Sequence, residues 1–126
     1  MALLPVTNET EALLCPIRTV LSKVTGKWQI VLLLTLEPGP LRFGELKRAV
    51  GDITQRVLTE NLRTLQRDGY LTRTVYEGPP VAVSYELTAQ GKSIVAMMWP
   101  LVDWANANME PIKSARERYQ AKNGVK

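Results

Sequence analysis

The sequence contains no histidine and a single cysteine, Cys15, among its 126 residues. A structural zinc site needs about four Cys or His ligands, and a Ser-His or Cys-His catalytic pair needs a histidine. Because neither can be built, we expect no metal site, no cofactor and no enzyme. A lone cysteine also argues against an intrachain disulfide framework and suits a reducing compartment.

Long apolar runs are also missing. The strongest, residues 30–36, is far shorter than the roughly 20 residues that a membrane span requires. The N-terminus has no basic flank followed by a long apolar core, which a signal peptide would show. We therefore expect a cytoplasmic protein without a membrane partner, and the length suits a single domain.

An amphipathic helix is predicted over residues 54–68. Leu58, Leu62 and Leu65 recur at i, i+4 and i+7, which places them on one stripe that can be buried. Thr54 is a suitable N-cap, and Gly69 is a suitable left-handed stop. The opposite face is polar and carries Gln55, Arg56, Thr59, Glu60, Arg63, Thr64 and Arg67.

A shorter helix is predicted just upstream, over residues 43–50, and a turn containing Gly51 joins the two. In this helix-turn-helix arrangement the second helix can enter a DNA major groove, with its N-terminal part deepest. A solvated surface helix would show the same pattern. The candidates for base edges are Thr54, Gln55, Arg56, Thr59 and Arg63, and those for phosphates are Lys27, Arg42, Lys47 and Arg73.

The charge is concentrated on this region. The whole chain has a net charge of +4 and a pI near 9.4. Residues 42–73 contain seven Lys and Arg against four Asp and Glu, so most of the excess lies there. A surface that contacts phosphates requires such a distribution.

A β-hairpin is predicted after the second helix. Residues 71–76 and 81–87 are rich in Thr, Val and Tyr, and the bend between them contains Pro79 and Pro80. A hairpin at this place is a wing. Ahead of the helix-turn-helix, we expect a helix over 16–24 that starts at Pro16, and a central helix over 27–36 that is covered on most sides.

The C-terminal part is predicted to form a long helix from Ala89, capped by Thr88, and Pro100 should kink or split it. Its apolar residues exceed what a small core can cover, so a symmetric partner is expected. The alternative is that the tryptophans pack on helix 27–36 within one chain. The candidates for the dimer interface are Trp99, Leu101 and Trp104.

Seven short motifs together resemble the HxlR-type family of winged-helix transcriptional regulators, which are related to the MarR group. The resemblance implies a mainly α fold with a small β-wing (α+β): a winged helix-turn-helix with a three-helix core, a two-stranded hairpin and a C-terminal dimerisation helix. It also implies a bacterial, dimeric, DNA-binding regulator. The motifs are Cys15-Pro16, Gly26-Lys-Trp28, Leu41-Arg-Phe-Gly-Glu-Leu46, Ile53-Thr-Gln-Arg-Val-Leu-Thr59, Leu62-Arg-Thr-Leu65, Asp68-Gly-Tyr-Leu71 and Tyr85-Glu-Leu-Thr88 with Gly91.

The predicted organisation is an N-terminal arm (1–14), the winged helix-turn-helix with its dimerisation helix (15–110) and a polar, basic tail (111–126). The wing departs from the family, whose members usually have Arg or Lys after the Pro-Pro bend. Here Ala82 is the nearest match, so a weak wing contact is expected.

Cys15 precedes Pro16 and is expected at the N-cap of the first helix, where the dipole favours a thiolate. The resemblance permits a sensor of electrophiles or oxidants at this position. A small thiol that only fills space is the alternative.

Together, these features predict a repressor or activator that binds double-stranded DNA as a homodimer, on an inverted-repeat operator. Two other hypotheses stay open: a winged-helix adaptor that binds protein, and a regulator gated by a small-molecule effector.

Overall fold

A computed structural model describes residues 8–124, with side chains from Leu14 onward. The described chain forms two compact units that divide between Ser93 and Ile94. Its elements follow the predicted order of helices and wing. They are α1 (Asn8–Thr19), a 3₁₀ turn (Leu21–Lys23), α2 (Lys27–Thr35), β1 (Leu41–Arg42), α3 (Phe43–Val50), α4 (Gln55–Arg67), β2 (Leu71–Tyr76), β3 (Ala82–Leu87) and α5 (Ala89–Asn123).

Leucines from α2, α3 and α4 form the core of the first unit. The predicted stripe of α4 is confirmed, because Leu58, Leu62 and Leu65 are all buried. Each leucine stabilises the fold by about 1.5 to 3 kcal/mol through the apolar surface it removes from water. The expectation that α2 is covered on most sides is confirmed: Leu32 and Leu33 are buried, most of its other residues are half-buried, and Val31 is its one exposed apolar residue.

Both ends of α4 are fixed by hydrogen bonds, as the sequence predicts. The Val57 N–H donates to Thr54 Oγ1 at 3.2 Å, which satisfies one of the free donors at the start of the helix. Gly69 adopts a φ of +87° after the last turn, and the Tyr70 N–H then donates to the Leu65 carbonyl at 2.9 Å. The bounds of α4 are therefore set locally.

The sheet has three antiparallel strands in the order β1-β3-β2, so the prediction of a two-stranded wing is incomplete. β1 pairs with β3, with Leu41 opposite Tyr85 and Arg42 opposite Ser84. A strand of two residues has no periodicity to detect, and its partner lies far along the chain. Pairing therefore depends on the tertiary fold.

The first helix lies earlier than predicted. It starts at Asn8 and ends at Thr19, with Pro16 inside it, and Leu21–Lys23 forms a 3₁₀ turn. Pro16 lies within the helix without ending it, and acidic residue types at positions 9 and 11 favour a helix start near Asn8. The segment predicted as an arm is thus helical from Asn8, and its residues 1–7 lie outside the described part.

α5 begins at Ala89 as predicted, and the Gly91 N–H donates to the capping Thr88 Oγ1 at 3.0 Å. The structure shows no split at Pro100, whereas the alternative that Pro100 kinks the helix stays a prediction. The helix continues through Pro100 and Pro111 to Asn123, although each proline lacks the N–H that would donate to the preceding turn. The segment predicted as a tail is therefore helical as far as Asn123.

Among residues 8–124, no helix combines the length and the apolar character needed to cross a membrane.

Candidate nucleic-acid interface

The polar face of α4 is open to solvent over about its first two and a half turns. Gln55, Arg56, Glu60 and Arg63 are exposed, and Thr59 is half-buried. The three leucines on the opposite side hold the helix against the core, so the polar face cannot turn inward. This face offers a guanidinium fork, an amide and a hydroxyl, which are the groups that contact base edges and phosphates.

Arg56 is paired on this face with Glu60. Its Nε lies 3.1 Å from Glu60 Oε1, one helical turn away, and the two side chains are 86% and 57% exposed. An ion pair this exposed contributes at most about 1 kcal/mol, since water and salt screen both charges. Arg56 can therefore leave Glu60 at little cost when a stronger acceptor approaches.

The exposed face borders two concavities that share Thr59 and Arg63. The first, which we call the reading groove, has a volume of about 490 Å³ and is lined by Gln55, Arg56, Thr59, Glu60 and Arg63. The second, which we call the arginine basin, has a volume of about 560 Å³ and is lined by Thr59, Arg63, Gln66, Arg67, Arg73 and Tyr85.

The predicted base-edge residues thus come together, whereas the predicted phosphate residues do not. Of the latter, only Arg73 lines the basin. Arg42 lies at the N-terminus of α3 and lines a third concavity, at the start of β3. The Lys27 ammonium lies 4.7 Å from the centre of the Trp28 ring, and Lys47 is half-buried in the last turn of α3.

Arg67 and Gln66 line the basin although the sequence analysis did not select them. Gln66 and Arg67 follow Thr59 at i+7 and i+8, and this helical spacing is the signal that could have found them. The Arg67 guanidinium donates to both carboxylate oxygens of Asp68, at 3.0 and 3.4 Å. The hydrogen bond to Asp68 and the charge of its carboxylate raise the pKa of Arg67 above its ordinary value.

A pair of amides connects α4 to α2. Gln29 Nε2 donates to Asn61 Oδ1 at 2.5 Å, and Asn61 Nδ2 donates to the Val57 carbonyl at 2.8 Å. Both bonds are partly buried, where an unpaired amide would be costly. Because leucine packing alone tolerates small rotations, we infer that this directional contact helps to fix the orientation of α4.

The wing, which is the β2–β3 hairpin over residues 71–87, has an apolar tip. Tyr76 and Val81 are exposed, and Val81 is 68% exposed. Ala82, at the position where the family usually has a cation, is half-buried. The only basic residue of the wing is Arg73, near its base.

Cys15 does not lie at a helix N-terminus, so the argument from the helix dipole is wrong. It lies inside α1, past the middle of the helix, because α1 starts at Asn8 instead of Pro16. The dipole acts within the first turn and does not reach it. Cys15 is exposed, and its Sγ lies 3.6 Å from Thr19 Oγ1.

The three candidates for a dimer interface do not share one face of α5. At 3.6 residues per turn, Leu101 and Trp104 lie within roughly 60° of each other, whereas Trp99 lies roughly 160° from Leu101. All three are exposed. The large exposed residues on the same side as Leu101 and Trp104 are Met97, Ile112 and Tyr119.

Comparison with known proteins identifies the family. Residues 23–113 match the family described as HxlR-like helix-turn-helix. The HTH-type transcriptional regulator YtfH of Escherichia coli (strain K12) is 34% identical over 107 residues, which cover 85% of each chain. A regulator from Methanothermobacter thermautotrophicus is 41% identical over 91 residues, which cover 72% of this chain and 70% of the relative.

Two solved structures of transcriptional regulators also resemble this chain. The transcriptional regulator ytfH from Salmonella typhimurium superposes with a TM-score of 0.75 at 34% identity, over 81% of this chain and 91% of that one. The redox regulator HypR in its reduced form superposes with a TM-score of 0.73 at 34% identity, over 79% and 98%.

These findings confirm the predicted winged helix-turn-helix fold and the prediction that the chain is not an enzyme, since its relatives are transcriptional regulators. The match covers most of the chain, from the 3₁₀ turn before α2 into the second half of α5. The chain belongs to the HxlR-like helix-turn-helix family of DNA-binding transcriptional regulators.

Proposed function

We propose that the protein binds an inverted-repeat operator as a homodimer and that the reading groove of α4 contacts the base edges. The exposed polar face of α4, held outward by three buried leucines, carries this proposal. Two such helices about one duplex turn apart would match the two halves of the operator. A cytoplasmic location goes with this proposal, because the DNA would lie there.

Within the groove, we assign base contacts to Gln55, Arg56 and Thr59, with Arg63 at its far end. Thr54, which caps α4 just ahead of the groove, is a further candidate. The N-terminal part of such a helix penetrates deepest into the major groove, and these residues lie in its first turns. Arg42, Lys47 and Lys27 lie outside both concavities and are assigned to more distant phosphates, which fix register without specifying sequence.

The experiment is a gel shift with DNA that flanks the protein's own gene, at several salt concentrations. A regulator that neutralises phosphates should lose affinity steeply as salt rises, with a slope of about −0.9 per phosphate contact. A random duplex of equal length is the control and should bind more weakly. Absence of salt-dependent binding to either duplex would support the adaptor hypothesis instead.

For the dimer, we propose an interface that includes Leu101 and Trp104 but leaves Trp99 on another side of α5. The large exposed apolar residues on one side of this helix support it, because such a surface is usually covered. We expect Trp104→Glu to convert a dimer to a monomer in sedimentation velocity. Asn106→Glu is the matched control, roughly 160° around the axis from Trp104. A wild-type monomer at micromolar concentration would contradict the proposal.

A response to oxidants through Cys15 is a second candidate. It is supported by the exposure of this thiol and by the likeness to the redox regulator HypR. The available reaction joins Cys15 of two protomers: two thiols lose two protons and two electrons to an added oxidant such as diamide, which becomes the hydrazine. If Cys15→Ser still releases DNA on diamide treatment, this role is excluded.

A further inference from the structure

The arginine basin lies where α4 meets β2, and the strand geometry explains why Arg73 is there. Alternate residues of a strand share one face, so Leu71 and Arg73 point to the same side of the sheet. Leu71 is buried in the core, whereas Arg73, one step further, is exposed. Arg73 therefore lies where the core ends, opposite Tyr85 in the strand register and beside the last turns of α4.

The charge of the basin is largely uncompensated. Three arginines line it, and none of the lining residues is acidic. Asp68 engages Arg67 from outside the lining, but within the described part of the chain neither Arg63 nor Arg73 forms an ion pair. Like charges gathered in one concavity repel each other, and an anion bound among them would remove this repulsion.

The distance between the basin and the reading groove matches the distance from base edges to the phosphate backbone at the border of the major groove. Arg63 and Arg67 follow Gln55 by 8 and 12 positions, so they lie roughly 12 and 18 Å along the helix axis, at 1.5 Å per residue. The major groove is about 12 Å wide. When the first turns of α4 lie among the base edges, its last turns reach the strand that borders the groove.

We propose that the arginine basin binds one phosphodiester of the DNA backbone at the edge of the contacted major groove. Guanidinium forks suit phosphate oxygens because they donate paired, charge-assisted hydrogen bonds, and the Thr59 hydroxyl and Gln66 amide add neutral donors. This site rests on the proposed function. It adds Arg67 and Gln66 to the interface and supplies a backbone contact near a wing whose tip has no cation.

Two substitutions of opposite effect test the site. Arg73→Gln removes a free cation, so the slope of log K against log salt should fall by about 1, with equal losses on operator and random duplexes. Asp68→Asn releases Arg67, so the same slope should steepen by up to about 1. Arg118→Gln, an equal charge change at an exposed position of α5, is the control and should change neither quantity. An unchanged slope in folded Arg73→Gln would overturn the proposal.

Methylphosphonate substitutions identify the phosphate. Wild-type protein should lose affinity when one particular phosphate of each half-site is neutralised. The affinity of Arg73→Gln should change little when the same phosphate is neutralised, because the variant has already lost this contact. Additive losses at every position would contradict a shared site. If wild-type protein shows no salt-dependent binding to any duplex, the proposed function itself fails, which is a different outcome from an unchanged Arg73→Gln slope.

Competition with inorganic phosphate shows whether the basin binds the DNA backbone or a small phosphorylated ligand. At equal ionic strength, phosphate and chloride should displace the duplex equally. Displacement that is stronger with phosphate, and that Arg73→Gln abolishes, would assign the basin to a free anion and overturn the duplex assignment.

Discussion

α4 carries three arginines against one glutamate, whereas the wing carries one arginine against two glutamates. The helix presents amides, hydroxyls and guanidinium groups along its exposed side, and the wing tip presents Tyr76 and Val81. Both belong to the same compact unit, and both are positions from which a winged helix-turn-helix can contact DNA. The difference indicates that in this protein sequence recognition depends on the helix, with little electrostatic help from the wing tip.

The largest expected effect is on the helix. Arg56→Ala should weaken operator binding by about 1 to 3 kcal/mol and reduce the preference for operator over random DNA, because a lost bidentate base contact affects the operator alone. Fluorescence anisotropy with both duplexes measures the two losses. Arg118→Ala is the control. Equal losses on both duplexes would remove Arg56 from the base-contacting set.

A second effect tests how the helix is held. Asn61→Ala should lower the free energy of unfolding by about 1 to 3 kcal/mol, because it leaves the half-buried Gln29 amide unpaired. The preference for operator DNA should fall as well, since base contacts require a fixed helix orientation. Chemical denaturation and the two-duplex assay measure these effects.

The double variant Gln29→Leu, Asn61→Leu separates stability from orientation. Replacing both amides with apolar groups should restore much of the stability, because no buried polar group is then left unpaired. The preference for operator DNA should stay reduced. If it recovers together with stability, the amide pair has only a structural role.

A smaller effect is expected when the wing is made to resemble that of the family. Val81→Lys places a cation on an exposed position of the tip, so affinity should rise by up to about 1 kcal/mol and the salt slope should steepen. Operator and random duplexes should gain alike. A gain confined to the operator would show that the wing contributes to sequence recognition.

The smallest effect is expected from the ion pair on α4. Glu60→Gln removes the partner of Arg56 and one negative charge from the reading groove, so affinity should rise by less than about 1 kcal/mol. Titration at low salt, where screening is weakest, measures it. A loss of affinity would indicate that Glu60 itself contacts DNA or holds Arg56 in its binding conformation.

Local signals made much of the fold predictable from the sequence. The bounds of α3 follow from the spacing of its apolar residues, those of α4 from its leucines with the Thr54 cap and the Gly69 stop, and the start of α5 from Thr88. These signals involve residues that lie within a few positions of each other, so they can be recognised from the sequence alone.

The errors arose where the outcome depends on distant residues or on a proline. β1 exists only because β3 is beside it. Pro16 and Pro100 both lie inside helices, so neither proline marks a helix boundary, and the start predicted at Pro16 misplaced Cys15. The arginine basin also depends on distant residues, because only the tertiary fold brings Arg73 next to Arg67. The sequence alone therefore did not predict it.

Inosine substitution gives the most direct test of helix-based recognition, because inosine·C pairs resemble G·C in the major groove and A·T in the minor groove. If the exposed face of α4 contacts the bases, replacing G·C by inosine·C within the operator should leave affinity unchanged. Replacing A·T by inosine·C at contacted positions should weaken binding by about 1 to 3 kcal/mol per pair, as a mismatched base pair does. The reverse pattern, with losses only at the G·C substitutions, would show recognition from the minor groove and contradict this account.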